Sequence, residues 1–309
     1  MDRTSLRPYL AELIGTFALV LLSAGAVIVN QLAAIELYKE PGLAGVVVTD
    51  STNPIAHPLM VAQPQLGLVG IALTTGFIYA AALAFTLPIS AGYLNPAITL
   101  MLWVFKRLDG GRMLWLILAQ VLGAALAGLL LRMFFSFQEA VLVSSYLGAP
   151  YLHLETFGAP GTDVPTVLKG IGVELGLTFL LVMTVFGTHL DPRALKQAGG
   201  WAHRLTALWL GLVVAGCTFV GFNLTGAALN PARWFGPAFW EMTVTPLLTQ
   251  EPWKDHMVYW IGPIVGALLA GGLYTTLILP AEEKLLSPTD AAHAARPSAV
   301  TSTLYRAKK

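Results

Sequence analysis

Long uncharged, apolar stretches alternate along the chain with short polar ones. No Asp, Glu, Lys or Arg occurs between Asp50 and Lys106, between Arg112 and Arg132, between Arg204 and Arg233, or between Asp255 and Glu282. A helix that crosses a bilayer needs roughly 20 mostly apolar residues. The pattern predicts spans over Leu10 to Gln31, Leu66 to Leu87, Met113 to Leu131, Leu168 to Thr188, Leu205 to Phe222 and Met257 to Leu279. Two shorter apolar stretches, Asn95 to Phe105 and Asn230 to Trp240, stand between spans. Residues read as loop precede them: Pro88 and Gly92 in one case, Gly221 and Gly226 in the other. At about 11 residues and 1.5 Å per residue, each reaches roughly 16 Å, half of a hydrocarbon core of about 30 Å. Each opens with Asn as helix cap and Pro at the first helical position. The expected fold is therefore an all-α membrane protein: six transmembrane helices plus two re-entrant half-helices that enter from opposite faces and meet at the midplane. Irregular backbone at that depth is tolerated only beside protein or a water-filled cavity, so the two loops imply a pore.

The chain is internally duplicated. Ala11-Glu12-Leu13-Ile14-Gly15-Thr16-Phe17 is echoed by Val173-Glu174-Leu175-Gly176-Leu177-Thr178-Phe179, and Leu94-Asn95-Pro96-Ala97 by Leu229-Asn230-Pro231-Ala232. Three spans per half turn the second copy upside down relative to the first, the inverted-repeat design of many transport proteins. We expect one domain over residues 1–283, with halves at about 8–135 and 166–280. A disordered tail over residues 284–309 follows, rich in Ala, Pro, Ser and Thr. The first half carries an insertion marked by Pro41, Gly42, Gly45, Asn53, Pro54 and Pro58, to which the sequence assigns no role.

Composition sharpens the picture. Of 309 residues, 56% are hydrophobic and 11% charged, against about 25% charged in soluble domains. A net charge of +1 carries no basic surplus for binding nucleic acid. The single cysteine, Cys217, excludes an internal disulfide, and no histidine is spaced with Cys or carboxylate as a metal site requires. Without a nucleophile and base pair or a ligand cluster, we expect no enzyme activity, no metal and no cofactor. Charge placement orients the chain, because cytoplasmic flanks collect Lys and Arg. Arg3, Arg7, Lys106, Arg107, Arg112, Arg193, Lys196, Arg204, Lys284, Arg296, Arg306, Lys308 and Lys309 fall on one side of a six-span arrangement. Both termini are accordingly expected in the cytoplasm and the protein in the cell membrane.

Taken together, these features resemble the aquaporin, or major intrinsic protein, family. The resemblance covers about residues 8 to 280. It is carried by Asn95-Pro96-Ala97, by Asn230-Pro231-Ala232-Arg233 and by Glu12 and Glu174 in the first span of each half. Ala119-Gln120 with Gly123-Ala124, and Trp260 with Gly262-Pro263, add to it. One Asn-Pro-Ala alone is an ordinary capped helix start; two at matching places of a repeat are specific. The resemblance implies a passive water channel that excludes ions and protons, a homotetramer with a pore in each protomer, water and small neutral solutes as permeants, and membrane lipid around it.

By that resemblance the selectivity filter consists of Arg233, Thr75, Thr218 and Ala227. Water-selective members place an aromatic at the Thr75 position and His at the Thr218 position, and glycerol channels place two aromatics. This filter lacks all of them and is expected to be wide and lined by hydroxyls. Trp234, Ala238 and Tyr259-Trp260 follow the water-channel pattern instead. Tyr93 stands where a His is common. Gly92, Tyr93 and Leu94 are expected to offer carbonyls to the file, with Gly226 and Ala227 small enough to do the same.

Elementary chemistry supports the same residues. Facing helix N-termini place positive partial charge at mid-pore, and the Asn95 and Asn230 amides can each donate to a passing oxygen. Arg233 is a cation in a membrane-embedded segment, a costly placement that usually faces a polar cavity. Glu12 and Glu174 are open to two readings: proton relays, or acceptors for the exposed amides of the re-entrant loops with Gln120 in support. His203 is either a pH-sensing residue or an ordinary loop residue. A facilitator for glycerol, urea, ammonia or metalloid acids, and a proton-coupled transporter, are the alternatives to a water channel.

Overall fold

The structure, a computed structural model, describes residues 3–39, 67–136, 145–159, 161, 163–193, 202–243 and 255–279. The Pro41 to Pro58 insertion and the 284–309 tail lie outside the described residues, as does the side chain of His203.

Among the described residues the helices are α1 (Arg3–Lys39), α2 (Gly67–Ser90), α3 (Pro96–Val104), α4 (Gly110–Phe134), α5 (Val164–Val185), α6 (Ala202–Thr225), α7 (Pro231–Glu241) and α8 (His256–Leu273). Helices α5 and α8 each continue into one wider turn, Phe186–Leu190 and Tyr274–Ile278. Six stretches among the described residues are long and apolar enough to cross a membrane: Leu6–Leu32, Gly67–Ser90, Gly110–Phe134, Val164–Leu190, Leu205–Thr225 and His256–Ile278. Several outrun the apolar runs because capping residues start the helix before its apolar stretch begins. Asp109 accepts from the Arg112 amide at 3.1 Å and Asp163 from the Thr166 amide at 2.8 Å.

Two residues read as loop are helical. Pro88 lies inside the last turn of α2, where Thr86 Oγ1 also bonds back to the Ala82 carbonyl at 2.7 Å. Gly221 lies inside α6, and its role is clearance rather than turning: a Cβ there would stand 2.5 Å from Leu177 Cδ1 and 3.2 Å from the Ala227 Cβ.

The packing repeats between halves. Helix α1 lies against α2 and α4, and α5 against α6 and α8; α7 packs on α4, and α3 on α8; α2 and α6 cross each other. In lipid, where apolar surface gains nothing by meeting apolar surface, close crossings depend on small residues. A Cβ on Gly123 would run into the Leu13 carbonyl of α1, and one on Gly266 into the Leu175 carbonyl of α5. At the central crossing a Cβ on Gly76 would stand 2.5 Å from the Gly211 carbonyl, and one on Gly211 2.6 Å from that of Gly76. Outward-facing Phe77, Trp115, Leu168, Leu180, Val220 and Leu277 are exposed, the polarity expected of a surface solvated by acyl chains. The chain is an integral, multi-pass membrane protein.

Candidate functional site

The two half-helices meet tip to tip. Asn95 (φ −150°) and Asn230 (φ −152°) are extended residues that cap α3 and α7, each Oδ1 accepting from the amide two residues on, Ala97 or Ala232, at 2.9 Å. Pro96 and Pro231 occupy the first helical position, where an N–H has no intrahelical partner anyway. The side-chain amides then reach across to the opposite half. Asn95 Nδ2 donates to the Leu229 carbonyl at 2.9 Å, and Asn230 Nδ2 to the Leu94 carbonyl at 2.8 Å. An amide nitrogen carries two hydrogens, so each Asn keeps one N–H beyond this stitch.

The loops entering these caps share one unusual backbone. Ala91, Gly92 and Leu94 have φ of 76°, 64° and 52°; Gly226, Ala227 and Leu229 have 77°, 49° and 55°. Left-handed geometry costs a non-glycine residue about 1–2 kcal/mol, so something must hold it. Glu12 does so in the first half. Its Oε1 accepts from Ser90 Oγ (2.6 Å) and the Tyr93 amide (2.9 Å), and its Oε2 from the Leu94 amide (2.6 Å) and Gln120 Nε2 (2.8 Å). Glu174 repeats the device, accepting from Thr225 Oγ1 (2.6 Å) and the amides of Ala228 (2.9 Å) and Leu229 (2.8 Å). Thr99 Oγ1 links Gln120 to the Asn95 carbonyl.

In the first turn of the second half-helix, Arg233 is buried and its Nη1 donates to the Gly148 carbonyl at 2.8 Å. Gly148 belongs to residues 145–157, between α4 and α5, a segment that also bonds to the Leu224 and Asn223 carbonyls at the end of α6. The neighbouring Trp234 stacks on Tyr259 (5.5 Å, 11°), whose hydroxyl donates to the Thr225 carbonyl at 2.9 Å. Thr75 and Thr218 are both buried, but they differ. Thr75 Oγ1 donates to the Ile71 carbonyl of its own helix at 2.8 Å, while Thr218 Oγ1 makes no hydrogen bond among the described residues. Ala227 and Ala232 are buried as well. A row of rings, Tyr146, Tyr151, His153 and Phe222, lines up at 4.3, 4.2 and 6.1 Å between centroids. Burial pushes the His153 imidazole down to about 4, so it is neutral at physiological pH.

Sequence reasoning missed Ser90, Thr99, Thr225 and Gly148. Ser90 and Thr225 had a signal, since each stands five residues before its Asn and the repeat aligns them. Gly148 had none, because a backbone carbonyl 85 residues from Arg233 leaves no trace in composition.

Six crossing helices in two inverted halves, with two capped half-helices stitched at their tips, define a membrane channel of the paired half-helix class. The profile described as Major intrinsic protein matches residues 2–274, and the chain belongs to that family. It is 31% identical over 285 residues to the probable aquaporin TIP4-1 of Oryza sativa subsp. japonica, with 90% of each chain covered. It is 34% identical to the aquaporin AqpM of Methanothermobacter thermautotrophicus, over 87% of this chain and 96% of that one. The X-ray structure of the aquaglyceroporin from Plasmodium falciparum shares the fold, with TM-score 0.67 and 19% identity, covering 91% of this chain and 99% of that chain. The chain is therefore a channel of this family and not an enzyme.

Proposed function

We propose that the protein is a passive channel that passes water and small neutral solutes while rejecting ions and protons, with Asn95, Asn230 and Arg233 facing the file. The observation that carries this reading is the stitch at the midplane. Each Asn side chain is held by its own helix cap and by the opposite loop, leaving one donor on each side for a passing oxygen. Such donors, backed by two helix N-termini, favour an oxygen and disfavour a cation. Thr75, Thr218 and Ala227, together with Arg233, form the filter in this proposal. The unpartnered Thr218 hydroxyl favours a polar lining, and the absence of an aromatic favours solutes larger than water, such as glycerol, urea, ammonia or a metalloid acid. The proton-coupled alternative is disfavoured by Glu12 and Glu174, whose oxygens are occupied by loop donors. In keeping with the Lys and Arg placement, the termini-bearing face, including any tail beyond Glu283, is cytoplasmic; the family resemblance implies that the protein works as a homotetramer.

Proteoliposomes test this. With protein present they should shrink osmotically with low activation energy and no proton current; shrinkage equal to that of empty vesicles refutes the water claim. Urea and glycerol uptake in the same vesicles reads the filter. Thr75→Phe with Thr218→His should suppress that uptake more than water flux, and wild type that takes up neither solute removes the broad-solute reading.

A further inference from the structure

Asp255 directly precedes α8, where an Asp ordinarily caps its own helix, yet it makes no such bond. Its Oδ2 accepts instead from the Leu152 amide, 103 residues away in the chain, at 2.9 Å. Leu152 belongs to the same 145–157 segment as Gly148. That segment is fastened at several further points. The Gly148 carbonyl receives Arg233, and the His153 amide donates to the Leu224 carbonyl at 3.0 Å. Thr156 Oγ1 donates to the Asn223 carbonyl at 2.8 Å, and Pro150 lies so close to Gly226 that a Cβ there would stand 2.6 Å from the Pro150 Cα. Among these fastenings Asp255 is the one whose charge can change near neutrality.

The titratable groups near enough to feel the Asp255 charge come from each neighbouring element: Glu241 at the end of α7, Tyr146 in the 145–157 segment and Tyr259 at the start of α8, while the adjacent His256 acts on Asp255 itself. Burial pushes the Asp255 carboxyl up to about 6, opposed by the Leu152 amide and the His256 charge. His153, in the same segment, stays neutral through that range.

We propose that Asp255 is a positioning residue of the filter: its carboxylate holds the segment that gives Arg233 its carbonyl acceptor, so that passage through the pore follows the protonation of Asp255. The chain of cause is short. An ionised acceptor binds an N–H roughly twice as strongly as a neutral one. When Asp255 takes a proton from the bulk, its grip on Leu152 weakens and the Gly148 carbonyl loses its fixed place. Arg233 is then free to turn toward the lumen and slow the file. The sign follows from the raised pKa: the carboxylate is ionised above about 6 and the filter held open, and it is protonated below, where the hold is lost.

This inference rests on the reading of the chain as a channel for water and neutral solutes, and two measurements separate their fates. The first is osmotic shrinkage of proteoliposomes holding the full chain, stepped from pH 8 to pH 5. Flux should fall by about threefold or more, with a midpoint near the Asp255 titration. Asp255→Asn should give a flat profile, whereas Glu241→Gln, which removes a carboxyl that burial and the Asp255 charge push up to about 8 and so keep protonated where Asp255 titrates, should leave the midpoint in place. A flat wild-type profile, or an unchanged slope in Asp255→Asn, overturns the proposal. Absence of flux at every pH sinks the channel reading instead. The second measurement is independent of flux: hydrogen exchange of the 148–153 backbone, corrected for intrinsic pH dependence. It should accelerate on acidification in the wild type and not in Asp255→Asn. Equal protection at both ends of the range overturns the role of Asp255 whatever the vesicles do.

Discussion

Every partner of Glu12 is a donor: a hydroxyl, two backbone amides and a side-chain amide converge on its two oxygens. Such a ring of donors favours an acceptor that holds a loop, since a proton relay needs an oxygen free to pick up and release a proton. The bonds are long-range, spanning 78 to 108 residues, so they fix tertiary placement rather than local structure. Glu12→Gln keeps the size but turns an –NH2 toward amides that also donate. An unsatisfied buried donor costs about 1–3 kcal/mol. We expect the variant, solubilised in detergent, to melt at a lower temperature and to conduct less, with Glu174→Gln following the same pattern. A Glu12→Gln protein that melts like the wild type would remove the bracing role. Ser90 and Thr225 have a similar standing, as hydroxyls that complete each brace from the last turn of α2 or α6.

At the level of elements, the half-helices are short because they need only reach the midplane: α3 has 9 residues and α7 has 11. Isolated helices of that length are marginal, so their stability comes from caps and from the long helices they lean on. The close crossings make this possible. Gly123 and Gly266 sit at matching places in the repeat, each with a neighbouring helix's backbone where its own Cβ would be. Backbone cannot move aside as a flexible side chain can. Gly123→Ala and Gly266→Ala should therefore each destabilise the protein by about 1–3 kcal/mol, the cost of overpacking. Gly172→Ala is the control: a Cβ there meets nothing within 4 Å, and the change should be neutral or gain up to about 1 kcal/mol from helix propensity. Thermal unfolding of the three variants side by side checks the ranking, and similar losses at all three would refute the clearance argument.

Across the whole molecule, the charge placement predicts sidedness, and the proposed homotetramer, which the family resemblance implies, predicts assembly. An impermeant label added to intact cells should miss a tag at the N-terminus and react once the membrane is opened, and brief cross-linking should yield a ladder ending at four chains. A tag labelled on intact cells would reverse the orientation, and a ladder ending at two chains would refute the tetramer. Much of this architecture was legible in the sequence because lipid leaves few choices. A spanning helix must be apolar for about 20 residues, and an Asn-Pro pair opening a half-length apolar stretch states its cap outright. The duplication let each half check the other, so the spans, the half-helices and Asn95, Asn230, Glu12, Glu174 and Arg233 could be named from letters alone. The helical state of Pro88 and Gly221 could not, because a proline or glycine reads the same whether it turns a chain or sits inside a helix. Nor could the Gly148 acceptor of Arg233, the Leu152 amide on Asp255, or the difference between the engaged Thr75 hydroxyl and the unpartnered one of Thr218. Local pattern fixes which residues are helical and which side chains are out of place in lipid. Only the folded chain decides which backbone group, far off in sequence, comes within hydrogen-bonding distance to satisfy them.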